Sequence, residues 1–199
     1  LTGNTQAPIG LMFTGEEPGA IANTGRLTVD PDQGITLISG AVVNQGHLTA
    51  PGGHIDLAAV AGESRVDVGP QILGWDRLNV ADQPGTGERV YGLGLPGFET
   101  IDPGTVITAG VIDVASPDVV GGTIRVLGDY VALLDSRLEA SGASGGGTVL
   151  VGGEYQGQGN LPSARQTYID GGAAIAAAAI QSGNGGYIIV WTEETTTID

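Results

Sequence analysis

Apolar and polar residues alternate in short runs along this chain, and the runs recur. Leu27/Val29, Leu48/Ala50, Ile55/Leu57 and Val66/Val68 each put two apolar side chains on one face of an extended segment, with a polar residue between them. The clearest recurrence lies in the segment 110–155. Val114-Ala115, a short spacer and Gly121-Gly122-Thr123-Ile124-Arg125-Val126 are answered, at an offset of 25, by Glu139-Ala140, an equal spacer and Gly146-Gly147-Thr148-Val149-Leu150-Val151. A shorter cousin lies upstream, where the segment 19–29 matches 40–50 at an offset of 21. There, Asn23-Thr24-Gly25 and Asn44-Gln45-Gly46 predict turns, because Asn and Gly tolerate left-handed backbone angles. Alternating runs joined by Gly-rich corners at a fixed period predict an all-β chain wound as a β-solenoid. The period predicts rungs of about 21–25 residues, eight or nine in all, with Leu27 stacked on Leu48 inside.

The spacing of the corners sets the expected organisation. The Gly-Gly corners of the repeat stand at 52, 121, 146 and 185, giving gaps of 69, 25 and 39. The first gap reads as three rungs of about 23, and the last as one rung plus about 14 inserted residues. Residues 1–199 are expected to form a single domain, with an irregular excursion over 70–104 and a lateral loop insertion over 154–168. The excursion holds Trp75, Tyr91, Phe98 and four of the ten prolines. No amphipathic helix is expected to cap either end, so the terminal strands are expected to be open edges. Copies of the chain adding end to end into a filament is the corresponding partner expectation.

Composition narrows the choice. Gly supplies 36 and Pro 10 of the 199 residues, yet 41% are hydrophobic, which a disordered chain would lack. Formal net charge is −15, and all seven basic residues are Arg. Nucleic acid needs a basic face and is excluded as a partner. The longest apolar run, residues 173–180, is too short to span a bilayer, so no membrane insertion is expected. There is no Cys, which removes disulfides, thiolate metal ligands and thiol catalysis.

Several segments resemble filamentous-haemagglutinin-like exoproteins, the passengers of two-partner secretion systems in Gram-negative bacteria. They are Gly46–Leu57 with Val60-Ala61-Gly62, Leu138–Gly142 continuing to Val151–Gly159, and Gly183–Gly186 leading to Val190-Trp191-Thr192. The resemblance covers most of residues 9–199 and is weakest at 70–104. It implies a right-handed parallel β-helix from the region after the secretion domain. It also implies a secreted adhesive or structural protein, extracellular or on the outer cell surface, with surface glycans or cell-surface proteins as partners.

No catalytic, cofactor-binding or metal-binding residue is assigned, and the chain is expected to be neither an enzyme nor a cofactor protein. Asp113, Asp118, Asp129 and Asp135 lie near the best repeats, with Arg125 and Arg137 nearby. At an offset of 25 Asp113 falls opposite Leu138, so no acidic ladder is expected, and nothing pairs either arginine with a carboxylate set. His47 and His54 flank Pro51-Gly52-Gly53 with only Asp56 close by, and read as exposed corner residues. Gly85-x-Gly87 and Gly157-x-Gly159 do not join a strand to a helix, and Gly62-Glu63-Ser64 lacks a nucleophile elbow. Tyr155, Tyr168 and Trp191 could form a sugar-stacking surface, so a carbohydrate-binding or polysaccharide-cleaving protein is the alternative. An ice- or mineral-binding role needs a flat Thr ladder, and Thr28/Thr49 and Thr123/Thr148 give only pairs.

Overall fold

A computed structural model of the chain describes residues 9–14, 19–69, 72–77, 90–91 and 100–199. Most of residues 70–99, where the irregular excursion was expected, lie outside the described residues. The strands begin with β1 (Ile9–Phe13), β2 (Ala20–Asn23), β3 (Arg26–Thr28), β4 (Gly34–Ser39), β5 (Ala41–Asn44), β6 (His47–Thr49) and β7 (His54–Ala59). Four more follow: β8 (Ser64–Val68), β9 (Ile72–Arg77), β10 (Val90–Tyr91) and β11 (Thr100–Ile101). Then come β12 (Thr105–Thr108), β13 (Val111–Asp113), β14 (Thr123–Leu127), β15 (Tyr130–Leu133), β16 (Arg137–Glu139) and β17 (Thr148–Val151). The last are β18 (Ala164–Ile169), β19 (Ala174–Ala176), β20 (Tyr187–Val190) and β21 (Thr192–Ile198).

Three parallel sheets take these strands in rotation. The first runs β2-β5-β12-β15-β18-β21, the second β3-β6-β13-β16-β19 and the third β4-β7-β14-β17-β20. Each pass of the chain adds one strand to each sheet. Because pairing is in register, alternate residues stack into columns. Leu27, Leu48, Ile112, Leu138 and Ile175 form one column of the second sheet. Ile35, Ile55, Ile124, Val149 and Ile188 form one of the third. With Val42, Val106 and Val131 of the first sheet, the middle members of these columns make the main core. A polar column sits within it, where Asn23 Nδ2 donates to Asn44 Oδ1 at 2.8 Å and Asn44 Nδ2 to Thr108 Oγ1 at 3.4 Å. Asn23 Oδ1 also accepts the Gly25 N–H, so these buried amides are hydrogen-bonded.

The glycine corners have a steric cause. A Cβ placed on Gly53 would lie 1.8 Å from the Gln33 carbonyl oxygen, and one on Gly122 would lie 2.1 Å from that of Gly53. Gly147 and Gly186 repeat this at 2.0 and 1.9 Å from the carbonyls of Gly122 and Gly147. Only a residue without a side chain lets successive passes approach this closely.

The expected right-handed parallel β-helix of eight or nine regular rungs is corrected by this topology. The chain is all-β, but its parallel strands lie in several separate sheets with no closed barrel, beside two antiparallel sheets. Strand pairing gives parallel register without establishing a handedness or a uniform repeat. The longest gap between corners, from Gly52 to Gly121, is one pass rather than three, since β7 pairs directly with β14. Part of that gap leaves the parallel sheets and pairs antiparallel instead, β8 with β9 and with the upstream β1, and β10 with β11. Residues 164–168, expected within the loop insertion, belong to β18 of the first sheet.

The antiparallel strands cover two outer faces. Phe13, Val66 and Ile72 pack with Ala58, Val60 and Leu127 on the outside of the third sheet. Ile101 packs on Ala41, Val43, Ile107 and Ala132 outside the first.

Two substitutions test this packing. Gly122→Ala forces backbone apart and is expected to cost about 3 kcal/mol. Ile112→Ala, at a fully buried site, is expected to cost about 2–5 kcal/mol. Urea unfolding followed by circular dichroism measures both.

Candidate functional site at the stepped end of the sheets

The carboxylates singled out from the sequence go to separate places. Asp113 ends β13, Asp118 is exposed on the corner after it, Asp129 is buried between β14 and β15, and Asp135 lies between β15 and β16. Asp113 pairs with Glu139 rather than Leu138, because the register here is one position longer than the glycine corners suggest. The two carboxylates therefore are neighbours in one column, but Thr49 and Ala176 flank them, so they form a single pair and no acidic ladder. Each turns back on its own corner, Asp113 accepting the Ala115 N–H at 2.9 Å and Glu139 the Ser141 N–H at 3.2 Å. Asp135 N–H donates to the Asp170 carboxylate at 2.9 and 3.0 Å.

Both arginines have partners. Arg137 Nη2 lies 2.6 Å from Glu139 Oε2 at the surface. Arg125 Nη1 lies 3.2 Å from Asp56 Oδ1, and Asp56 is fully buried. Asp56 Oδ2 accepts the Ile72 N–H at 3.0 Å. This ion pair sits on the outer face of the third sheet and ties β9 down onto it. Asp56 is thereby committed to structure. His54, expected to be exposed, is half-buried, with its ring against the bare Gly34 backbone. His47 is exposed on β6, and Gly85-x-Gly87 lies outside the described residues.

The aromatic residues divide. Tyr155 is 62% exposed on a single 3₁₀ turn, Tyr155–Gly157. Gly157 lies against the Trp191 indole, so those two share one corner. Gln156 has φ 56 and donates from Nε2 to Tyr155 Oη at 3.2 Å; Gln158 Nε2 donates to Gln156 Oε1 at 3.2 Å. Tyr168 stands apart on β18, where its hydroxyl donates to Asp199 Oδ2 at 2.7 Å. That bond holds the Tyr168 pKa above the ordinary tyrosine value, with burial adding to the effect. Beside it, the hydrogen bond and charge of Glu194 raise the pKa of Arg165.

The least satisfied surfaces are the two ends of the stack. At one end all three sheets finish on the same pass, with β2, β3 and β4. At the other the second and third sheets finish on β19 and β20, while the first carries one more strand, β21. This end is a step. Inward columns emerge at both: Leu27 is 42% exposed at the flush end, and Ile188 and Ile198 are 47% and 65% exposed at the stepped end. Among the described residues, the outer edges of these terminal strands have no strand partner. Sequence reasoning anticipated open edges and a strand-prone tail at Thr192–Asp199, but not the step, because it placed residues 164–168 in a loop and so gave the tail no partner.

The HMW1 secretion domain from Haemophilus influenzae is a similar solved structure, at 20% identity and a TM-score of 0.38 over 96% of this chain and 70% of that chain. No protein-family model matches the chain, and no curated protein does. Among the described residues no helix is long and apolar enough to cross a membrane.

Removing one member of the buried ion pair is expected to be costly. Asp56→Ala should destabilise by about 3–5 kcal/mol, and Asp56→Leu with Arg125→Met by much less, as read from urea midpoints. Tyr168 reports on β21: its bond to Asp199 is present below the ordinary tyrosine range and lost as pH rises through the raised value. Phenolate absorbance should show a late-titrating component from Tyr168 that moves to lower pH in Asp199→Asn.

Proposed function

We propose that the chain is a secreted structural or adhesive element of a bacterial cell surface or extracellular matrix, acting by contact rather than by turnover. The observation that carries this reading is the stack itself. Successive passes share register, apolar columns and glycine corners, and the charged groups weighed for chemistry serve corners and the cover sheet instead. Such a stack is stiff along its length, because every internal strand is hydrogen-bonded on both sides. A net charge of −15 supports solubility outside a partner complex. The segments that resemble filamentous-haemagglutinin-like exoproteins support export and surface display. Partners on this reading are other copies of the chain and neighbouring surface glycans or proteins.

The Tyr155 corner favours a second, narrower reading, glycan contact. An exposed aromatic ring, a chain of Gln156 and Gln158 amides and the adjoining Trp191 indole offer stacking and neutral hydrogen bonding together.

Protease treatment of intact producing cells is expected to remove the chain, and spent medium to contain it. Recovery from the cytosolic fraction alone would refute the main reading. On a glycan array, Tyr155→Ala should reduce any signal at least about tenfold; unchanged binding would move the contact elsewhere.

A further inference from the structure

The corner from the third sheet to the first can be turned with very little chain. After β14, Gly128 and Asp129 alone lead to β15. After β17 the chain spends residues 152–163 before it reaches β18. The added length extends no sheet, yet it is folded by bonds of its own. Gly157 N–H donates to the Glu154 carbonyl at 3.0 Å, and Gln158 N–H to that of Tyr155 at 3.1 Å. Glu154 Oε2 accepts the Leu161 N–H at 3.2 Å and closes the base of the loop. Leu161 packs against the cluster of Ala58, Val60 and Leu127. Gly157 lies against the Trp191 indole, whose Nε1 edge turns toward it. Gln156 is held at φ 56, a left-handed conformation that a residue with a Cβ rarely adopts. A loop fixed in this way presents its side chains ready placed, which lowers the entropy lost on binding.

What it presents is aromatic and uncharged. Tyr155 is 62% exposed, and Gln156 and Gln158 are exposed beside it. Their hydrogen bonds run one way, from Gln158 Nε2 to Gln156 Oε1 and from Gln156 Nε2 to Tyr155 Oη. The Tyr155 O–H is left to donate outward at one end of this chain, and Gln158 Oε1 to accept at the other. A hydroxyl group both donates and accepts, so a polyol matches both ends. A carboxylate or sulfate only accepts, and matches one. The charges nearby point the same way. Residues 154–163 contain no Arg, Lys or His, and Glu154 places a carboxylate inside the loop against the bare Gly159 backbone. Arg165, just beyond the loop, is engaged by Glu194 at 3.2 Å. With a net charge of −15 on the whole chain, an anionic ligand is repelled here.

We propose that Tyr155, Gln156, Gln158 and the Trp191 edge form a subsite for one neutral hexopyranose ring, and that acidic and sulfated sugars are rejected. The axial C–H bonds of such a ring give it an apolar face that lies on the Tyr155 ring. Its hydroxyls meet the Tyr155 O–H, the Gln158 carbonyl oxygen and the Trp191 Nε1–H. This rests on the glycan-contact reading and names the class of sugar. A single ring held by one aromatic face and a few neutral hydrogen bonds binds at about 1 mM or more weakly.

The test follows the amide and indole N–H resonances of the whole chain during titration. The neutral probes are methyl β-glucoside and methyl β-galactoside, and the acidic ones glucuronic acid and N-acetylneuraminic acid at the same pH. At least one neutral glycoside is expected to shift the Trp191 indole and the amides of residues 155–158 saturably, while both acids leave them in place. Tyr155→Ala should weaken that binding at least about tenfold. Tyr155→Phe keeps the ring but loses the hydroxyl, and should weaken it about fivefold. Unchanged resonances from β12 to β17 show that each variant is folded. No saturable shift with either neutral glycoside, or binding that Tyr155→Ala leaves intact, would overturn the subsite. Shifts at this corner with the acids alone would overturn the neutral class and leave glycan contact standing. A blank with all four sugars, together with an array signal that Tyr155→Ala does not change, would remove both. The cell-surface reading is decided separately, by protease accessibility.

Discussion

Everything in this fold depends on backbone approaching backbone at the corners. Where Gly53, Gly122, Gly147 and Gly186 follow one another, a single added carbon would overlap the carbonyl of the pass before. The contact fixes the level at which each pass begins, and so the register of the strands that follow. Register in turn decides which side chains stack. A slip of one residue would turn every inward Ile or Leu of the third sheet outward.

Once register is fixed, the outer faces need separate solutions. The third sheet presents Asp56, Ala58, Arg125 and Leu127 outward, a mixture that water would tolerate poorly. The antiparallel strands β8 and β9 cover it, and the cover forces the charges to pair. The Asp56–Arg125 bond and the Ile72 N–H satisfy a carboxylate that has lost its water. Such a pair specifies where the cover docks more than it adds net stability. Among the described residues Ile101 covers the outward Ala41, Val43 and Ile107 of the first sheet, and the second exposes a polar face of Arg26, His47, Thr49 and Arg137. The ends have no such cover among the described residues, and only β21 lies across one of them.

Much of the parallel core was legible, because identical residues repeat at the spacing of the structure. The upstream match of 19–29 with 40–50 gives the pairing of β2 with β5 and β3 with β6, including Leu27 on Leu48. The match around the glycine corners at 121 and 146 gives β14 on β17. The errors share a cause: an offset was taken as uniform where the chain inserts residues. Reading the longest gap between corners as three rungs hid that Asp56 and Arg125 stand at that same offset, and are hence neighbours. One extra residue after Asp113 hid its pairing with Glu139. The antiparallel pairs left no periodic trace, since β1 meets β8 across a long stretch of sequence and the two share no motif. The tail at Thr192–Asp199 reads as strand-prone, but its place on β18 was invisible, because the Thr-rich β21 lacks the apolar alternation of the strands it joins.

The central claim is that the pass after β7 resumes directly at β12, with the intervening residues set aside. Thr49 and Asp113 are then in-register neighbours on the exposed face of the second sheet, although far apart along the chain. A chain carrying Thr49→Cys and Asp113→Cys, otherwise free of cysteine, should close an intramolecular disulfide on mild oxidation. Adjacent strands bring the two Cα atoms to roughly 5 Å, within the range a disulfide spans. The control Thr49→Cys with Glu139→Cys, two strands apart, should remain reduced. Closure of the control in preference to the first pair would contradict the register, and with it the columns, the ion pair and the ends derived from it.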